Sequence, residues 1–190
     1  MCGRMNVIAA PITQYLREQL HLDFSTVDNH DLRPTQRVDT LMATAKGLRQ
    51  ITTHWGIQPR WSKRLLINAK IETAAEKPTF KKAFAQARCV IPVTGWYEWR
   101  TEGTKKQKYL FADAKSEPMF MGGIVFKSED GPRLVTFTTA PTAQCAEYHD
   151  RMPLILPPDT LDFWLHSSVE ELAPLFQTHP TNALSISEAP

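Results

Sequence analysis

The stretch from Cys89 to Thr139 constrains the fold more than any other part of the chain. It holds five short segments rich in apolar, aromatic or β-branched residues, at 89–93, 96–100, 108–112, 119–126 and 134–139. The connections between them are too short to contain a crossover helix, so these strands pair with their neighbours as hairpins rather than through βαβ units. A turn is expected at Thr94-Gly95, and a further strand at 48–55. Helical spacing of apolar residues appears at Ile12, Tyr15, Leu16 and Leu20 after Pro11, and again over 79–87 and 169–177. Residues 31–36, which include Pro34, are expected to form a loop. Helices flanking a run of hairpins predict an α+β fold, one domain over 1–190 with a mainly antiparallel, barrel-like β-sheet core.

Composition removes several classes. The longest apolar runs, such as 119–126, fall far short of the roughly 20 residues a membrane-spanning helix needs. The N-terminus, Met1-Cys2-Gly3-Arg4, has no extended apolar run of the signal-peptide kind, so a cytoplasmic protein without membrane partners is expected. The three cysteines, Cys2, Cys89 and Cys145, form no Cys-x-x-Cys pair and stand at no zinc-ligand spacing from the scattered histidines. No metal and no cofactor is therefore expected. Net charge is +2, but it is unevenly spread. Residues 60–88 carry eight Lys/Arg against Glu72 and Glu76, whereas 157–190 carry five acids and no Lys or Arg. Such polarity suits one basic face turned to a polyanion, although a solvated helix face would look the same.

Cys2 is the most informative residue. Once the initiator methionine is removed, it becomes an N-terminal β-aminothiol, which no internal cysteine can be. Its α-amine titrates near ~7.7–8.0, so part of it is neutral at pH 7, unlike a lysine near ~10.4. The amine can condense with an aldehyde to an imine, and the thiol can then close a five-membered thiazolidine. Taken alone, Cys2 is equally an incidental small residue. Glu98, within Gly95-Trp96-Tyr97-Glu98-Trp99, is a candidate proton-transfer group because a carboxylate among large rings has a raised pKa. His149 could shuttle protons with Asp150 beside it, and Asn68 could place an amide in a site. Each also has a plain reading, as a solvent-facing acid, a hydrogen-bonded histidine and a turn-forming asparagine.

Several stretches taken in order resemble the SOS response-associated peptidase (SRAP) family, whose members process abasic sites in DNA. The matching pieces are Met1-Cys2-Gly3-Arg4, Arg33-Pro34-Thr35-Gln36 and Trp55-Gly56-Ile57-Gln58-Pro59-Arg60-Trp61. They continue with Asn68-Ala69-Lys70-Ile71-Glu72-Thr73, Lys77-Pro78-Thr79-Phe80-Lys81 and Arg88-Cys89-Val90-Ile91-Pro92. The last are Gly95-Trp96-Tyr97-Glu98-Trp99 and His149-Asp150-Arg151-Met152-Pro153. The resemblance implies the SRAP fold and a covalent DNA–protein crosslink between Cys2 and the ring-opened abasic sugar in single-stranded DNA. It implies Cys2 as nucleophile, Asn68 as positioning hydrogen bonder, Glu98 as proton-transfer group and His149 as the acid that assists sugar ring opening. It also implies Arg4, Trp55, Lys70, Lys81, Thr138 and Arg151 as the lining of a DNA channel. The peptidase of the family name corresponds to self-processing that exposes Cys2, and a monomer is the expected state. Lys70 and Lys81 stand where the family usually has arginine, which keeps charge but loses the bidentate fork for phosphate. The tail after His179 matches poorly.

Two other readings compete. N-terminal-nucleophile glutamine amidotransferases also begin Met-Cys-Gly, but they carry an Asn-Gly element, and no Asn-Gly pair exists here. A non-catalytic single-strand binder could use the basic segment with Trp55, Trp61 and Trp96 as stacking surfaces, and would not need Cys2.

Overall fold

A computed structural model describes residues 2–177 and 180–190. In chain order its elements begin with β1 (Met5–Val7), α1 (Ala9–Leu20), β2 (Asn29–Leu32), β3 (Arg37–Thr44), β4 (Gly47–Trp55) and β5 (Asn68–Lys70). The middle contains α2 (Pro78–Gln86), β6 (Arg88–Val93), β7 (Gly95–Glu102), β8 (Lys105–Asp113), β9 (Met119–Phe126) and β10 (Arg133–Thr139). The last part adds α3 (Ala143–Ala146), β11 (Met152–Pro153), β12 (Ile155–Leu156), α4 (Leu161–His166) and β13 (Leu184–Ala189). The expected α+β class holds, with sheets of mostly antiparallel strands and few helices.

Two sheets carry the architecture. In the larger, β10, β4, β3, β6 and β9 follow one another, and β9 pairs back to β10, so these strands close a ring. Most pairings are antiparallel; β4 and β5 each run parallel to β10. All residues of β6 and all but the last of β9 are buried, which explains why both read as continuous apolar runs instead of alternating ones. The smaller sheet has the order β13-β8-β7-β1-β2 and is antiparallel throughout. The core between and around the sheets includes the fully buried Trp55, Trp96, Trp164, Phe84, Phe111 and Phe137.

Thr94-Gly95 is a corner between sheets rather than a hairpin turn, because β6 belongs to the ring and β7 to the smaller sheet. Asn6 holds the corner: its side-chain amide donates to Thr94 Oγ1 at 3.0 Å, and its carbonyl accepts from the Thr94 N–H. A Cβ at Gly95 would stand 2.6 Å from the Phe111 carbonyl oxygen, so glycine permits the close approach of β7 to β8.

The helix expected at Pro11 is α1, with Ile12 and Leu16 buried and Asp28 accepting the Ala9 N–H at 2.7 Å. Three further expectations need correction. Residues 31–36 are not all loop: Asp31 and Leu32 close strand β2, paired with β1. Residues 169–177 form two 3-10 segments, Val169–Glu171 and Ala173–Gln177, and Pro174 interrupts the N–H supply that an α-helix would need. The C-terminal tail, poorly matched by motif, adds β13 along β8 over six paired residues.

Candidate functional site

Cys2 reaches the site because the chain before β1 continues along β7. Met5 stands opposite Trp96, and the Tyr97 N–H donates to the Arg4 carbonyl at 3.1 Å. Extending that register places Gly3 opposite Glu98, so no side chain is packed there against the carboxylate. From the ring side, β5 presents Asn68, whose Nδ2 donates to the Cys2 carbonyl at 2.9 Å. Asn68 Oδ1 accepts from the Thr136 hydroxyl on β10, in register opposite Asn68. A carbonyl can only accept, so these two partners fix which end of the amide faces Cys2. Nothing in the local sequence signals Thr136; the parallel pairing of distant segments creates the contact.

Burial sets the protonation states. Glu98 is 3% exposed, and burial pushes its carboxyl up to about 7, with the charge of Asp150 acting in the same direction. The Cys2 thiol is held well above the ordinary thiol range by burial first and by the charge of Glu98 second. It is therefore a protonated thiol near neutrality, not a thiolate. Cys145, buried, also lies within the field of Glu98.

His149 follows α3, which Thr142 caps by accepting the Cys145 N–H at 3.2 Å, and the His149 N–H donates to the Cys145 carbonyl at 3.1 Å. Its Nδ1 lies 3.0 Å from the Arg151 N–H and 2.8 Å from Asp150 Oδ1. Nδ1 cannot accept from one and donate to the other at once. The neutral ring accepts from Arg151 and keeps its proton on Nε2; the cation turns Nδ1–H to the carboxylate. Burial lowers the His149 pKa, which favours the neutral ring. Asn68 thus holds Cys2 by a hydrogen bond, the charge of Glu98 acts on the Cys2 thiol, and Asp150, which pairs with His149, acts on Glu98.

The residues expected to line a DNA channel divide. Lys70 and Lys81 are exposed. Arg4 is partly exposed, with Nε 3.3 Å from Asp31 Oδ1. Arg151 forms a two-pronged pair with Glu72, both bonds at 2.8 Å, and also donates to the Thr138 carbonyl at 2.7 Å. Trp55 and Thr138 correct the expectation, since they are 0% and 1% exposed and offer no side-chain surface to a nucleic acid. Trp55 instead donates its indole N–H to the Ile67 carbonyl, next to Asn68, at 3.1 Å. Of the tryptophans proposed as stacking surfaces, Trp96 is also fully buried and only Trp61 is exposed, at 70%. Arg88 leaves the basic face as well: it is buried and donates to the carbonyls of Phe84, Trp164 and Ser167. Among the described residues no cluster of His, Cys, Asp and Glu could hold a metal ion.

Fold and site together define an α+β protein whose second residue, a cysteine, is held by the Asn68 amide and lies in the field of a carboxyl of raised pKa. The chain belongs to the SOS response associated peptidase (SRAP) family, which it matches over residues 1–189. It is 28% identical to the abasic site processing protein YedK of Escherichia coli, over 89% of this chain and 81% of that one. It is 30% identical to the abasic site processing protein YoqW of Bacillus subtilis, over 87% and 80%. Among solved structures, a phage-related protein of Bordetella bronchiseptica superposes with a TM-score of 0.82 at 21% identity, covering 99% of this chain and 94% of that one. A protein of Bacteroides thetaiotaomicron gives 0.75 at 23% identity, covering 98% and 90%. At those identities the two structures speak for the fold alone.

Proposed function

We propose that this protein captures abasic sites in single-stranded DNA, forming a thiazolidine crosslink through Cys2 once Met1 has been removed. Two lines support the reading: relatives named for abasic site processing, and the placement of Glu98, with a pKa of about 7, against Cys2. The second observation carries it. A carboxyl that titrates near neutrality can both take and give a proton, which imine formation requires.

The order of steps follows from the protonation states. The thiol is protonated, so the neutral α-amine attacks the aldehyde carbon first. The resulting carbinolamine loses its hydroxyl as water, with protonated Glu98 as donor, to give an imine. Sulfur then adds to the imine carbon, its proton passes to nitrogen, and the ring closes; one water has been released overall. His149, with its proton on Nε2, is the group assigned to protonate the sugar ring oxygen, which opens the closed form to the aldehyde. Asn68 holds the Cys2 carbonyl and thereby the direction of the amine. Cytoplasmic localisation, action as a monomer and self-processing at Met1 belong to the same proposal.

The test is trapping on an abasic single-stranded oligonucleotide, resolved on a denaturing gel and by intact mass. The expected product is one covalent adduct on Cys2, of mass equal to the two reactants less one water. Release of ammonia from glutamine without an adduct would support the amidotransferase reading instead, and binding without an adduct would support the non-catalytic one.

A further inference from the structure

The turn that carries His149 is tied to the smaller sheet by a cluster of rings that the proposed chemistry does not use. On β7, Trp96, Glu98 and Arg100 share one face, and across the sheet they stand opposite Phe111, Tyr109 and Gln107 of β8. Tyr148, next to His149 in the chain, packs on that face. Its ring centre lies 4.8 Å from that of Tyr109 at 66° and 5.2 Å from that of Phe111 at 84°, both edge-on contacts of the favoured kind. Phe111 in turn stacks on Trp96 at 5.0 Å. The Arg100 guanidinium carbon stands 4.6 Å from the Tyr148 ring centre and 4.9 Å from that of Tyr109, so one cation serves both rings.

Arg100 is itself fixed. Its Nε donates to Glu102 Oε1 at 2.9 Å and its Nη2 to the Tyr109 hydroxyl at 3.0 Å, while that hydroxyl donates to Glu102. The cluster therefore has a defined geometry rather than a generic apolar contact. Its place matters because Tyr109 is the cross-strand partner of Glu98. On the other side of His149 in the chain, Arg151 is anchored to the ring through Glu72 and the Thr138 carbonyl. His149 is thus strung between an anchor on each sheet, and the anchor at Tyr148 sets it against the strand that carries Glu98.

We propose that Tyr148, clamped by Tyr109, Phe111 and Arg100, is a positioning residue for His149. It fixes where the imidazole stands relative to β7, and so relative to the sugar whose ring oxygen His149 protonates. Tyr148 touches no reacting atom and acts only through His149. The proposal rests on the reading above for the role of His149, whereas the clamp itself is a property of the fold.

The experiment measures single-turnover crosslinking to an abasic single-stranded oligonucleotide, alongside the pKa of the His149 imidazole by NMR titration, for variants checked for folding by circular dichroism. Tyr148→Leu should slow capture about tenfold, because small displacements of a reacting group are costly, and Tyr148→Phe, which keeps the ring, should stay within about twofold of wild type. Arg100→Gln leaves the rings in place and should slow capture about threefold. In the His149→Ala background, Tyr148→Leu should add less than about twofold, since the two residues act as a unit. An oligonucleotide already carrying an open-chain aldehyde should restore Tyr148→Leu to near the wild-type rate. Release of the turn should also move the His149 pKa up toward its ordinary value, because burial is what lowers it. A loss that persists in the His149→Ala background, or that the open aldehyde does not rescue, would make Tyr148 merely structural and overturn the proposal. Should Tyr148→Leu not fold, Arg100→Gln carries the same comparisons. If the His149 pKa rises in the variants but wild type forms no adduct, the clamp stands and the capture reading fails. If wild type crosslinks while neither variant moves the rate or the His149 pKa, the reading stands and the clamp fails.

Discussion

Glu98→Gln should make the protein less active and, at neutral to alkaline pH only, more stable. Burial raises the Glu98 carboxyl from 4.5 to about 7. In the unfolded chain the group ionises near its ordinary value, so between those two pH values the unfolded state binds fewer protons than the folded one. Stability therefore falls as pH rises through that window and levels off above it. One pKa unit corresponds to about 1.4 kcal/mol, so the carboxylate costs about 3 kcal/mol at pH 8 and less than about 1 kcal/mol at pH 5. Glutamine resembles the protonated acid in shape and polarity and does not titrate.

The variant should thus match wild type closely at pH 5 and exceed it by roughly 2–3 kcal/mol at pH 8. For a chain of this size, about 2–4 °C per kcal/mol converts that gain to a Tm rise of roughly 5–10 °C. Thermal unfolding of both proteins at the two pH values reads it directly, and other titrating groups cancel in the difference between the proteins. A Tm difference that is the same at pH 5 and pH 8 would refute the reasoning, because it would mean that Glu98 titrates alike in the folded and unfolded chains.

Three further outcomes follow from the site. Cys2→Ala should give no heat-stable adduct, since no ring closes without sulfur, and mass spectrometry after denaturation checks it. His149→Ala and Glu98→Gln should each slow single-turnover crosslinking by on the order of 10²-fold; an oligonucleotide already carrying an open-chain aldehyde should restore the first and not the second, and equal rescue would show the roles to be wrongly assigned. Thr136→Val, which removes the hydroxyl that fixes the Asn68 amide, should slow crosslinking by about tenfold with single-strand affinity changed far less; a parallel loss of both would make the residue merely structural.

Strands were legible wherever burial on both faces or hydrophobic alternation left a mark, as in β9, whose bounds match the apolar run at 119–126. What the sequence hid depends on contacts between distant segments. β3 mixes Arg37, Asp39 and Thr40 into its pattern, and its place in the ring comes from pairing with β4 and β6. β13 is only half-buried and is held by β8, about 75 residues earlier in the chain. The site residues stood out through chemistry and family resemblance, whereas the partners that orient them did not. Thr136 and the Glu72–Arg151 pair depend on pairings that no local pattern encodes. Trp55 shows the opposite error: an aromatic residue beside a basic segment suggests stacking, but its indole N–H has a carbonyl partner inside the core.

The same burial that hides Trp55 also orders the chemistry. A solvated site would leave Glu98 ionised at pH 7 and unable to give a proton to the departing hydroxyl. Placed against Cys2 in a poorly solvated site, Glu98 shares its time between acid and base near neutrality, and its negative charge helps keep the thiol protonated. In the proposed mechanism the amine is then the first nucleophile and sulfur the second, which is the order that ends in a ring. The rate of capture should accordingly rise with pH as the α-amine loses its proton near ~7.7–8.0, and fall as Glu98 ionises above about 7. In Glu98→Gln the alkaline limb should disappear, leaving a low rate that only rises with pH. A bell-shaped profile surviving in that variant would assign the falling limb to some group other than Glu98.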